Sequence, residues 1–242
     1  MPHLLSQNKA AIASARRRRI HWPSALQIPT HLARFLVVLL AIDSLFLVLH
    51  IVHVYEILPI GNRWALGVDR SYSEWFQYGK LFLIASIFLW LEIKYKSRIY
   101  GFFSLLFWLI FLDDSLSIHE NLGDLIGVWL NTVDHVGEVI AMLALGLVPI
   151  ISIAISYANT KVTRYKQFSL NLIKLISIYV FSGVVIDFIY SEVYFPSNLV
   201  RTILGILEDF GENIAMVLIL VFAIRHLLYV RNTDRPNLTS SE

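Results

Sequence analysis

Two nine-residue segments place carboxyl groups in matching positions. Asp134-His135-Val136-Gly137-Glu138-Val139-Ile140-Ala141-Met142 and Glu208-Asp209-Phe210-Gly211-Glu212-Asn213-Ile214-Ala215-Met216 share an acid, Gly, Glu, Ile, Ala and Met at an offset of 74 residues. The same offset carries Asp113 onto Asp187. Residues i, i+3, i+4 and i+7 share a helix face, so Asp134, Gly137, Glu138 and Ala141 form one stripe, and Glu208, Gly211, Glu212 and Ala215 another. Gly and Ala four apart let two membrane helices approach closely, and if the fourth and sixth stretches cross there, Glu138 and Glu212 meet at equal depth. Two buried carboxylates side by side require a cation or a shared proton.

Further candidate ligands surround this pair. Asp113, Ser117 and Glu120 stand at 0, +4 and +7 and are expected on one helix face, with Asp114 and His119 beside it. Asp43, His50 and His53 make a looser stripe, and Gly183, Asp187 and Tyr190 another. Asp209 is expected to face away from Glu208 and Glu212. The expected metal ligands are Asp113, Glu120, His135, Glu138, Asp187, Glu208 and Glu212, with His119, Asp114, His50 and His53 in a second tier. Oxygen-rich ligation with one or two histidines suits Fe, Mn or Zn. Lys80 is the alternative source of compensating positive charge.

In ligand inventory the set resembles the two-metal carboxylate bundles, with His135-x-x-Glu138 reversing their Glu-x-x-His order. The segment Ser115-Leu116-Ser117-Ile118-His119 resembles the Ser-x-x-x-His element of the membrane zinc hydrolases that include alkaline ceramidases. The His-x-x-x-His pair of that family has no counterpart in the last apolar stretch, where His226 stands alone.

The elements that must position these groups follow from composition. Of 242 residues 57% are apolar and 16% charged, and the mean hydropathy is +0.64. Such a chain reads as an all-α polytopic membrane protein. Six apolar stretches are long enough to span: Leu32 to Tyr55, Glu74 to Tyr95, Ile99 to Glu120, Asp134 to Tyr157, Leu170 to Tyr194 and Leu199 to Tyr229. They are expected to form three helical hairpins, of which 3-4 and 5-6 are related by the parallel internal repeat. Six spans leave no room for a folded soluble domain. The absence of Cys excludes thiolate metal sites, thiol nucleophiles and covalent c-type haem. There is no phosphate-binding Gly loop and no nucleophile elbow, so neither a nucleotide nor a serine hydrolase mechanism is expected.

Charge sets the expected orientation. The basic turns at Lys94, Lys96 and Arg98 and at Lys161, Arg164 and Lys166 alternate with loops poor in bases, which predicts both termini on the cytoplasmic side. On that topology sixteen of the 20 bases and only three of the 18 acids fall on the inner side. Residues 1–30, with the run Arg16 to Arg19, read as a basic cytoplasmic arm on anionic lipid, residues 31–230 as the transmembrane domain and 231–242 as a polar cytoplasmic tail. Inner positive charge is an ordinary consequence of insertion. Acids inside apolar stretches are not, and they mark function by default.

Three functions compete at this level. One is a metal-dependent enzyme of a bacterial inner membrane acting on a lipid or quinone-like substrate. The second is a proton or cation transport component using the same acids, and the third is a non-catalytic subunit of a larger membrane complex. Membrane lipid is an expected partner; nucleic acid is not.

Overall fold

The computed structural model describes residues 29–132, 134–193 and 197–233. Most of the expected N-terminal arm, the end of the tail and the side chains of Asp134 and His135 lie outside the described residues. The chain divides into two units, Met1–Arg34 and Phe35–Glu242. In the first, Ala33 N–H bonds the Pro29 carbonyl as a helix begins.

The described residues are helical, without strands. The helices are α1 (Thr30–Val54), α2 (Tyr72–Tyr95), α3 (Arg98–Leu116), α4 (Ile118–Leu130), α5 (Asp134–Asn159), α6 and α7 (Asn198–Thr233). Helix α6 runs over Thr163–Val180, widens to a π-type turn over Phe181–Ile186 and resumes over Asp187–Glu192. All but α4 are long and apolar enough to cross a membrane. Their outward surface is aliphatic, with Val37, Leu45, Leu143, Leu147 and Ile155 all exposed. Water would penalise that surface, whereas hydrocarbon does not.

The core forms where α2, α3, α6 and α7 meet. In α2 the buried residues Leu81, Ile84, Ala85, Phe88 and Leu91 recur at helical spacing, while Phe82, Leu83, Leu89 and Trp90 stay exposed. Phe88 packs its ring near Phe107 and Phe168, at 5.8 Å each. Ser104 of α3 donates to the Ala85 carbonyl at 2.9 Å, a small polar bond that lets the two helices lie close. Lys96 closes the α2–α3 turn in a left-handed conformation, φ 51°, its N–H returning to the Glu92 carbonyl.

Two expectations about the helices are corrected. The third stretch does not continue through Glu120: α3 ends at Leu116, and Ser117 turns left-handed at φ 50°. The cause is local competition for the backbone. Asp113 accepts the His119 N–H at 2.8 Å, and Ser117 N–H returns to the Asp113 carbonyl, so the polar run ends the helix and starts α4. Asp113, Ser117 and Glu120 therefore do not form one stripe.

The second correction concerns the glycines. Gly137 lies against Gly123 and Gly127 of α4, and Gly211 lies against Ser182 of α6. The expected close crossing of the fourth and sixth spans at these glycines is absent, because α4, a helix lying mostly in the gap left between the third and fourth stretches, takes the Gly137 face.

Candidate metal centre

The acids collect on one cavity. It has a volume of about 540 Å³, and it is bordered by the loop before α2, by α2, by the α3–α4 junction and by α5, α6 and α7. Ten carboxyl groups line it: Asp69, Glu74, Asp113, Asp114, Glu120, Glu138, Asp187, Glu208, Asp209 and Glu212. The only imidazole among the described lining residues is His119, and no Lys or Arg is among them.

The α3–α4 junction builds the tightest group. Asp113 uses both carboxylate oxygens on His119, Oδ1 on the backbone N–H at 2.8 Å and Oδ2 on Nδ1 at 3.0 Å. Asp114 stands beside them and is hydrogen-bonded to Tyr179 of α6. One ligand atom from each of Asp113, Asp114 and His119 falls within 4.8 Å of the others, a spacing compatible with one metal ion. Asp113 holding Nδ1 is also the arrangement in which a carboxylate orients an imidazole whose second nitrogen remains free to ligate.

The opposite wall is hydrogen-bonded. Tyr78 hydroxyl lies 3.0 Å from Glu74 Oε2 and 3.1 Å from the Asp114 carbonyl, tying α2 to the junction. Gln77 donates to Glu212 Oε2 at 3.1 Å. Glu212 also fills the space that a side chain at Gly183 would need, in the π-type turn of α6. Such turns occur often at functional sites, and here the absent Cβ lets Glu212 reach the α6 backbone. Gly67 meets the Asp209 carboxylate, with Oδ2 3.0 Å from where a Cβ would stand, and its φ of +66° favours glycine there.

Of the expected ligands, Asp113, Glu120, Glu138, Asp187, Glu208 and Glu212 line this cavity, as do Asp114 and His119. His50 and His53 do not: His50 Nδ1 instead accepts the Leu66 N–H at 3.0 Å. The His135 side chain lies outside the described residues. Asp209 is a correction, since it lines the cavity with Glu208 and Glu212; the cavity covers a broad arc of α7, wider than the single stripe used to place it. Lys80 is another. Its ammonium lies 3.0 and 3.1 Å from the two Asp43 oxygens and 2.8 Å from Asn213 Oδ1, so its direct ion pair is with Asp43, which does not line the cavity.

Sequence reasoning overlooked Asp69, Glu74, Gln77, Tyr78 and Tyr179. A signal for Glu74 was present: Ser71-Tyr72-Ser73-Glu74 has the form of a capping box before an apolar run. Ser71 does cap α2, accepting the Glu74 N–H at 3.3 Å, while Glu74 Oε2 takes the Arg70 N–H.

His119 lies outside the spans, on α4. Burial disfavours the imidazolium, but the Asp113 hydrogen bond and charge, with Asp114 and Glu120, outweigh it and raise the pKa. Because the folded value exceeds the unfolded one, the stabilisation is complete below about pH 6.5 and is lost as pH rises through the folded value. In an NMR titration His119 should deprotonate above an ordinary histidine, and Asp113→Asn should lower its midpoint. An unchanged midpoint in that variant would refute the assignment.

Fold and site together define a class: a helical protein with six helices long and apolar enough to cross a membrane and a cavity lined by carboxylates and, among the described residues, one imidazole. The chain belongs to the domain-of-unknown-function family DUF8692, whose family model matches residues 32–226. No curated protein and no solved structure matches it.

Proposed function

We propose that the protein is an integral membrane protein of a bacterial inner membrane, whose cavity binds one or two divalent metal ions and uses them on a membrane-dissolved amphiphile. The observation that carries this reading is the lining itself: ten carboxyl groups and one imidazole, with no Lys or Arg among the described lining residues. Carboxylates gathered in a low-dielectric site need compensating charge, and a divalent ion supplies two units of it at the point where ligand atoms already converge. Asp113, Asp114 and His119 form the first set of ligands. Glu120, Glu138, Asp187, Glu208 and Glu212, with His135, complete the inventory for that ion or a second one. Fe, Mn and Zn all suit such oxygen-rich donors. A bound ion would polarise an ester or carbonyl oxygen, or activate a water, beside the carboxylates that remain.

The substrate class follows from the rest of the cavity. Beyond the acids it is lined by α3, α5 and α6 residues including Leu106, Ile110, Met142 and Ile176. Leu143, Ile150 and Val180 line it too and yet are 65%, 56% and 43% exposed. On an intramembrane surface that exposure is to lipid, so the seam between α5 and α6 offers a sideways entry for an apolar tail. From Glu138 to Ile150 the lining follows α5 for about 18 Å at 1.5 Å per residue. A polar head at the metal with a lipid or isoprenoid tail along α5 matches that gradient.

Elemental analysis and calorimetric titration of the purified full-length chain with Mn²⁺, Zn²⁺ and Fe²⁺ test the reading. Binding near one or two equivalents is expected, weakened at least about tenfold by Asp114→Asn or His119→Ala. A folded protein that neither retains nor takes up any of the three ions would overturn it.

A further inference from the structure

A second groove lies at the opposite end of α2 from the acids, between α2 and α7. Leu83, Ser86, Ile87, Trp90 and Lys94 form its α2 wall and Leu227, Leu228 and Arg231 its α7 wall. The α2 residues fall at 0, +3, +4, +7 and +11, a single helical stripe, so the wall is continuous from an aliphatic end to a cationic end. Leu83 and Lys94 are about 16 Å apart along the axis at 1.5 Å per residue. Lys94 and Arg231 stand in the last turns of their helices and are both exposed.

Neither base has a carboxylate partner among the described residues. Glu92, the nearest acid in α2, turns away and lies against Gly101 of α3. Lys94 is held over Trp90, with Nζ at 4.7 Å from the ring centroid and 5.1 Å from that of Tyr95. This keeps the ammonium at the mouth of the groove, beside an indole of the kind that settles at headgroup level. Bases in loops are explained by membrane insertion alone. Two bases on the walls of a groove that is otherwise apolar apart from Ser86 have the polarity of a phospholipid, and basic pockets between spans recognise anionic headgroups.

We infer that this groove binds an anionic phospholipid, its phosphate between Lys94 and Arg231 and one acyl chain along Leu83, Ile87 and Leu227. The site is separate from the acid-lined cavity and does not depend on the metal reading. Native mass spectrometry of the delipidated full-length chain, titrated with phosphatidylglycerol or phosphatidylcholine, tests it. Phosphatidylglycerol should bind about tenfold more tightly, the scale expected for two bases near an anionic lipid. The Lys94→Ala/Arg231→Ala variant should lose most of that preference, and Leu83→Trp, which fills the aliphatic end, should weaken both lipids. The control Lys161→Ala/Lys166→Ala should leave the preference unchanged. Equal binding of the two lipids, an unaltered preference in the groove variant, an equal loss in the control, or a lipid-free dimer that buries the groove would each overturn the assignment.

Discussion

Lys80→Met should destabilise the fold by about 3–5 kcal/mol in chemical unfolding of the micelle-embedded protein. Asp43 is 1% and Lys80 2% exposed, and their ion pair at 3.0 Å joins α1 to α2. Removing the ammonium leaves Asp43 charged and unpaired among apolar helices, or forces it to take a proton at comparable cost. It also strips Asn213 of its contact with the lysine at 2.8 Å. Asn213 borders the cavity and bonds the Asp209 carbonyl at 3.0 Å, so the loss reaches the wall beside Glu212. The paired change Lys80→Met with Asp43→Leu should recover most of the stability, since both charges leave together. A single variant within about 1 kcal/mol of the parent, or a double variant no better than the single, would refute this account of the ion pair.

Gly137→Ala should cost about 2–3 kcal/mol and disturb metal uptake as well. A methyl there would overlap the Gly123 carbonyl and approach the Gly127 nitrogen, both backbone atoms of α4. No side-chain rotation relieves the overlap, so α4 and α5 must separate, and Glu138 moves with α5. Gly79 provides the contrast, because it has the same residue type in a helix but nothing within 4 Å of its missing Cβ. There Gly→Ala should stabilise by about 0.5–1 kcal/mol through backbone entropy. Measuring both changes in the same micelles checks the packing directly. If Gly137→Ala proves as benign as Gly79→Ala, the close contact of α4 with α5 is wrong.

How the acids are divided explains why the two effects differ in kind. Asp43 is matched by one dedicated lysine and is structural. Among the cavity acids, Glu212, Glu74 and Asp114 are held by the neutral groups Gln77, Tyr78 and Tyr179. Neutral hydrogen bonds orient a carboxylate without cancelling its charge, and that leaves the cavity able to take up an ion.

Residue order alone specifies that the described residues are helical, that six segments are long and apolar enough to span, and that acids lie within them. These properties are local: they depend on length, hydropathy and the 3.6-residue period, all of which can be counted along the chain. Most of the cavity acids were also legible as candidates, because a charge inside an apolar stretch is unfavourable wherever the stretch packs. Packing between helices sets the rest. Whether Lys80 answers Asp43 or Glu212, whether Asp209 joins the cavity, and that Gly137 faces α4 depend on which helices are neighbours. The break at Ser117 follows from a bond made across it, Asp113 to the His119 amide, and a periodic reading carries a helix through such a point. Helix period fixes which residues share a face, but not what lies opposite that face, because in a membrane nearly every face is apolar enough to pack against another.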